Sequence, residues 1–99
     1  GIKVFPAPVE ERLNEHPDVV ESAVFGVKDD EYGERVTAAV QTPDEALTAE
    51  DLDEWCLESE KLSRFERPRE YHFYAKTLPR TASDKLDRAA IKERSIGGR

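Results

Sequence analysis

Residues 19–41, which read VVESAVFGVKDDEYGERVTAAVQ, decide the fold of this chain. The mostly apolar run at 19–27 predicts a strand. The polar turn at 28–33 closes on Gly33, a residue suited to the positive φ that tight turns require. Residues 36–41 then alternate in the manner of a strand. Two successive strands around a turn predict a β-hairpin.

A helix is predicted on each side of this hairpin. Before it, Pro8 begins a short helical pattern in which Val9 and Leu13 are four residues apart. The dipeptide at 16–17 ends that pattern, because Pro17 cannot continue a helix. After a loop at 42–46, a capping-box-like spacing of Thr48 and Asp51 begins the second helix.

Further along the chain we expect a third strand and a third helix. The second helix buries an apolar face that Leu62 and Phe65 continue, and residues 67–69 break the pattern. Alternation at 71–75 predicts the third strand. The candidates for the core are Val24, Phe25, Val40, Leu52, Trp55, Tyr71 and Phe73. This order of elements predicts a single α+β domain at 1–94, with helices flanking a small sheet of short strands, and a flexible tail at 95–99.

Composition restricts the classes of function. The net charge of −7 argues against nucleic acid and anionic membranes as partners, because both repel an acidic surface. No stretch approaches the roughly 18 apolar residues of a membrane span, and no export signal is present, so we expect a cytoplasmic protein. Cys56 falls on a helical face and is interpreted as a core thiol. We expect no metal site, because this cysteine and the two histidines lack metal-ligand spacing.

Residues 78–88, LPRTASDKLDR, contain the strongest functional signal. Pro79 and the hydroxyls near it predict an ordered turn, and Ser83 or Asp84 can cap a helix that follows. Lys85 is therefore expected at or just inside a helix N-terminus, where an ammonium adds a point charge for phosphate or carboxylate. The alternative is that Lys85 is a solvated surface residue. His16 and His72 have no partners placed by sequence for catalysis, and we assign them surface or capping roles.

The lysine segment closely resembles P-[RK]-T-x-x-G-K, the C-terminal signature of acyl-adenylate-forming enzymes, also called AMP-binding enzymes. Three earlier stretches resemble other motifs of this family in the right order: GIKVFPAPVE at 1–10, HPDV at 16–19 and GVKD with GE at 26–34. A fourth, LSRFERP at 62–68, resembles L-x-x-[YF]-K-x-P. The sequence departs from the pattern at Pro8, where an acid is usual, at Glu66, where lysine is common, and at Asp84, where glycine is usual. The Asp84 carboxylate could hold Lys85 in place or partly neutralise it.

The resemblance implies a function as well as a fold. In this family a large N-terminal domain binds ATP, Mg²⁺ and a carboxylic acid, and the C-terminal domain is a mobile lid. The resemblance makes Lys85 the catalytic lysine of adenylation, and Gly1 a residue along the channel for the pantetheine of CoA. Gly1 could equally be a turn residue at the start of the chain. Because the sequence begins at Gly1 and in mid-motif, we expect a fragment of a longer acyl-CoA synthetase that is inactive alone.

Two alternatives remain open from sequence. The first is an adenylation domain that loads a carrier protein, or a luciferase-like oxidase, with the same fold and a different acceptor. The second is an acidic interaction module in which Lys85 has no catalytic role.

Overall fold

The computed structural model describes residues 4–31 and 33–96 of the chain. Within these ranges, helices and strands follow the predicted order: α1 Pro6–Asn14, β1 Glu21–Asp29, β2 Gly33–Gln41, α2 Ala49–Leu57, β3 Glu70–Tyr74 and α3 Arg88–Ile96. The predicted α+β architecture is confirmed. No helix in the described ranges is both long and apolar enough to cross a membrane.

The hairpin forms as predicted. β1 pairs antiparallel with β2, from Glu21 opposite Gln41 to Asp29 opposite Gly33. Gly33 has a φ of 83°, which confirms the reason for a glycine at the end of this turn. β1 begins two residues after the predicted start at 19, because Val19 donates its N–H to the carbonyl of His16 in the preceding turn.

The third strand completes a sheet of order β1-β2-β3 in which both faces are covered. β3 lies parallel to β2, and α2 lies in the connection between them. One face of the sheet packs on Val9 and Leu13 of α1 and on Leu52 of α2. The other face packs on Leu78 and on Ile91 of α3. Burial on both faces explains why the central residues of β1 and β2 are almost all buried.

Several predicted boundaries and core positions are wrong. α1 begins at Pro6, because a proline is tolerated throughout the first turn of a helix and Pro8 therefore does not mark its start. α2 ends at Leu57, so Phe65 lies beyond it and is 66% exposed. Phe73, assigned to the core from its place in a strand, is 40% exposed. An aromatic residue is often only partly buried, so its place in an apolar pattern does not determine its burial.

One carboxylate joins three elements. Glu10 of α1 accepts a hydrogen bond of 2.7 Å from the backbone N–H of Val24 in β1. The same carboxylate is bound through both of its oxygens by the Arg88 guanidinium, at 2.8 Å for one of them. Arg88 also donates to the carbonyl of Val24 at 3.3 Å. These bonds fix the start of α3 against β1 and α1, and the hydrogen bonds to Glu10 raise the pKa of Arg88.

The third helix extends into the predicted tail. α3 continues to Ile96, which packs against the second face of the sheet. The hydroxyl of Ser95 hydrogen-bonds that of Tyr74 at 2.5 Å. Ser95 and Ile96 therefore belong to the packed domain, while residues 97–99 of the predicted tail lie outside the described ranges.

Candidate functional site: the lysine turn

Residues 81–85, which we call the lysine turn, form a tight hydrogen-bonded loop. The Asp84 N–H donates to the Thr81 carbonyl at 2.9 Å, which closes a four-residue turn. The Thr81 N–H donates to the Lys85 carbonyl at 2.7 Å, and Arg80 and Leu86 pair across the base of the loop as an antiparallel bridge. The Thr81 hydroxyl accepts from the Lys85 N–H at 3.3 Å. This geometry is that of a small hairpin loop rather than the start of a helix.

The conformation of Asp84 explains why the family usually has glycine before the lysine. Asp84 has a φ of 64°, and no other described residue except glycine has a positive φ. A turn followed by a residue in the left-handed region is the common three-residue hairpin loop with a bulge, which favours glycine. Aspartate is among the few residues that tolerate this region, so the loop keeps its shape despite the departure.

The prediction that Lys85 lies at a helix N-terminus is wrong. Asp87, rather than Ser83 or Asp84, caps α3, because its carboxylate accepts the N–H of Ala90 at 3.0 Å. α3 then begins at Arg88, and Lys85 lies three residues before it. Sequence analysis named Ser83 and Asp84 as possible caps, and both instead belong to the turn that Thr81 closes.

Lys85 is presented to solvent. Its neighbour Leu86 packs against the second face of the sheet, and successive side chains of an extended segment point to opposite sides. Lys85 is accordingly exposed, and among the described residues none forms an ion pair with its ammonium. The carboxylate of Asp84 instead lies 3.7 Å from Nε of Arg80. The turn therefore displays an ammonium that is available to an anion from outside the domain.

Arg80 ties this turn to the sheet. Its guanidinium donates to the Asp84 carbonyl at 2.9 Å and forms an ion pair with Glu21, the first residue of β1. Nearby, the Leu78 N–H donates to the side chain of Gln41, the strand partner of Glu21, at 3.3 Å. Sequence analysis missed the ion pair of Arg80 with Glu21, because the two residues are 59 positions apart and no periodicity relates them.

A second feature that sequence analysis missed is an arginine-rich cavity of about 370 Å³. Arg64, Arg67 and Arg69 line it, with Tyr71 and with Glu50 and Asp53 of α2. Arg67 pairs with Asp53 at 2.7 Å and has no hydrogen-bond partner for its buried Nε. The sequence does carry a signal for this cavity. Three arginines fall within the six residues 64–69 of a chain that is acidic overall, and Tyr71, a predicted core residue, follows them.

The remaining candidate residues do not form a second site within the described ranges. Cys56 is 2% exposed, and burial raises the pKa of its thiol, so the prediction of a core cysteine is confirmed. His16 packs edge-on against Trp55 and accepts the N–H of Asp18 at 3.0 Å, while Nε2 of His72 lies 2.6 Å from Glu70. The described residues include no group of three potential metal ligands. Gly1 lies outside the described ranges.

Comparison with known proteins identifies the family. The sequence pattern of the AMP-binding enzyme C-terminal domain matches residues 8–85. The chain is 48% identical over 85 residues to a 4-chlorobenzoate–CoA ligase from Arthrobacter sp., covering 86% of this chain and 16% of that enzyme. It is 38% identical over 93 residues to a 2-succinylbenzoate–CoA ligase from Bacillus cereus, covering 94% of this chain and 18% of that enzyme.

Solved structures agree with these relatives. A Mycobacterium tuberculosis fatty acyl CoA synthetase matches with a TM-score of 0.87 and 28% identity, over 99% of this chain and 19% of its own. The o-succinylbenzoate CoA synthetase of Bacillus subtilis, in complex with its acyl-adenylate intermediate, matches with a TM-score of 0.81 and 33% identity, over 93% of this chain and 18% of its own. The chain thus spans less than a fifth of the length of these relatives, and it belongs to the AMP-binding enzyme C-terminal domain family.

Proposed function

We propose that this chain is the C-terminal lid domain of an ATP-dependent acyl-CoA synthetase and that Lys85 is its adenylation lysine. The observation that carries the proposal is the exposed Lys85 ammonium on a hydrogen-bonded turn, with no ion-pair partner among the described residues. An N-terminal AMP-binding domain of the same protein would bind ATP, Mg²⁺ and the carboxylic acid. The cytoplasmic location predicted from sequence remains a part of this proposal.

The charge of the reaction explains why a lysine is needed. A carboxylate oxygen attacks the α-phosphorus of ATP, the bond to the pyrophosphate oxygen breaks, and pyrophosphate leaves as acyl-AMP forms. Two anions must approach one another in this step. An ammonium held near the carboxylate and the bridging oxygen stabilises the transition state electrostatically and remains protonated throughout. Lys85 supplies this cation from a backbone that is fixed by the hydrogen bonds of the lysine turn.

The arginine-rich cavity supports CoA as the acceptor. In the second half-reaction a thiol attacks the acyl carbon of acyl-AMP, and AMP leaves. CoA carries a diphosphate, a 3′-phosphate and an adenine ring, which are suited to guanidinium groups and to an exposed aromatic ring. Arg64 and Arg69 line a cavity large enough for part of such a nucleotide, and Phe65 beside Arg64 in sequence is exposed.

The test of Lys85 uses the full-length enzyme and separates the two half-reactions. Lys85→Ala should abolish carboxylate-dependent ATP–pyrophosphate exchange, with a loss of about 100-fold or more, and preserve thioester formation from added acyl-adenylate. Lys76→Ala, at another exposed lysine, is the matched control and should leave both reactions unchanged. Survival of exchange in Lys85→Ala would contradict the proposed role and favour the interaction module.

The acceptor is tested with the arginines. Arg64→Ala and Arg69→Ala should raise the KM for CoA several-fold without changing pyrophosphate exchange. CoA lacking its 3′-phosphate reports which of the phosphates each arginine binds. Arg94→Ala, at an exposed position in α3, is the control. An enzyme that transfers its acyl group to a carrier protein and ignores CoA would establish the adenylation-domain alternative.

The isolated chain should show no turnover. The lysine turn and the arginine-rich cavity provide cations, but the pocket for the acid is proposed to lie in the N-terminal domain. Acyl-CoA formation by purified residues 1–99 would refute this assignment of roles.

A further inference from the structure

The lysine turn has few apolar contacts that could hold it in place. All five of its residues are exposed, and Asp84 adopts a conformation that aspartate occupies at some energetic cost. Leu86 packs against the sheet on one side of the turn, and Arg80 binds the sheet on the other side through polar bonds.

Arg80 is suited to hold the turn because it binds on both sides. One terminal nitrogen donates to the Asp84 carbonyl inside the turn, and the other binds the Glu21 carboxylate on β1. The Arg80 and Glu21 side chains are 30% and 24% exposed, so the ion pair is only partly screened by water. A planar guanidinium can maintain both bonds at once with a fixed angle between them.

We propose that Arg80 and Glu21 form a positioning pair that sets the location of Lys85 relative to the sheet. Neither residue needs to touch the reacting atoms. The pair fixes the backbone from which the long Lys85 side chain extends, and a displacement of about 1 Å at a catalytic group can lower a rate by about 100-fold. This inference rests on the proposed function, because it assumes that Lys85 acts in adenylation.

Removing the charge of Glu21 distinguishes two possible roles of Arg80, binding ATP and positioning Lys85. If Arg80 itself bound ATP, removal of the Glu21 carboxylate would free Arg80 for that task and would not slow adenylation. If Arg80 positions Lys85, loss of Glu21 slows adenylation although Glu21 is an anion and cannot bind a phosphate. Glu21→Gln is therefore the decisive variant, because it removes the charge that attracts Arg80 and keeps nearly the same side-chain volume, so the fold should be retained.

The experiment compares Glu21→Gln, Arg80→Ala and Lys85→Ala in the full-length enzyme. Glu21→Gln and Arg80→Ala should each lower kcat for pyrophosphate exchange by about 10- to 100-fold, with KM for ATP changed less than about twofold. Thioester formation from added acyl-adenylate should not change. A general loss of folding would instead lower both half-reactions. Glu15→Gln, which breaks the exposed pair with Arg12, is the control.

Three outcomes would overturn the inference. If Lys85→Ala abolishes exchange and Glu21→Gln leaves it intact, the positioning pair fails and the proposed function stands. If Glu21→Gln lowers both half-reactions together, the residue has only a structural role. If Lys85→Ala leaves exchange intact, the proposed function fails and the inference fails with it. A double variant gives one more check. If Glu21 acts only through Lys85, adding Glu21→Gln to Lys85→Ala should change the remaining pyrophosphate exchange by less than about twofold, because the effects of residues that act through one group are not additive.

Discussion

Replacement of Asp84 tests the geometry of the lysine turn directly. At most exposed positions Ala is more stable than Gly by about 0.4–1 kcal/mol, because Gly has more freedom in the unfolded chain. At Asp84, with a φ of 64°, we predict the opposite order. The variant Asp84→Gly should be more stable than Asp84→Ala.

The magnitude follows from three contributions. A Cβ in the left-handed region costs about 1–2 kcal/mol, which Ala retains and Gly avoids. The unfolded-state penalty of Gly offsets about 0.4–1 kcal/mol of this gain. The ion pair of Asp84 with Arg80 is lost in both variants and matters little, because it spans 3.7 Å and the Asp84 side chain is 88% exposed. The net expectation is that Gly exceeds Ala by about 1 kcal/mol.

Urea denaturation of the 99-residue domain, followed by tryptophan fluorescence, measures this difference. The midpoint should shift while the slope with denaturant is unchanged. In a thermal scan, about 1 kcal/mol corresponds to about 4–8 °C for a domain of this size. The control is Ala82→Gly in the same turn, where φ is not positive and Gly should be destabilising. An Asp84→Ala variant as stable as Asp84→Gly would refute the conformational argument.

The charge of Asp84 can be tested apart from its conformation. Asp84→Asn keeps a side chain that tolerates the left-handed region and removes the carboxylate. Because Asp84 lies near Arg80 rather than in an ion pair with Lys85, we predict that pyrophosphate exchange by Asp84→Asn stays within about threefold of wild type. An increase of tenfold or more would show that the carboxylate partly neutralises Lys85.

Three further predictions concern the rest of the domain. Thr48→Ala should destabilise the fold by about 1 kcal/mol in urea, because it removes the side-chain half of a complete capping box, whereas Thr48→Ser should not. A double-mutant cycle of Glu10→Gln and Arg88→Met should give a coupling energy of about 1 kcal/mol, since Glu10 is 13% exposed but Arg88 is 47% exposed, and additive effects would contradict this. The thiol of Cys56 has a raised pKa, so the unfolded chain loses its proton first and stability falls as pH rises above about 8.5. Cys56→Ala should remove that part of the decline in a pH series of urea titrations.

Local signals predicted most of the fold correctly. The positive φ at Gly33 and the capping box at Thr48 each depend on neighbouring residues, and both are present in the structure. The lysine turn shows where local reasoning fails. Ser83, Asp84 and Asp87 are all acceptable helix caps, and the choice among them depends on whether Thr81 closes a turn. Sequence alone does not rank such near-equivalent alternatives.

The missed features depend on contacts between distant parts of the chain. The pair of Arg80 with Glu21 joins the first strand to the last loop, and only the fold brings them together. Phe65 was misassigned for a different reason, because the pattern that suggested a buried face continued beyond the end of α2 at Leu57. A hydrophobic side chain past a helix end has no partner that the sequence specifies.

The bonds of Glu10 and Arg88 at Val24 also affect how this domain behaves towards other molecules. β1 is a terminal strand in the described sheet, and a backbone N–H and C=O exposed on such a strand can pair with a strand from another chain. At Val24 both groups are already bound, by a carboxylate and a guanidinium. A second molecule would have to displace two charged groups to extend the sheet at this point. The same contact that holds α3 in place therefore hinders strand addition at Val24.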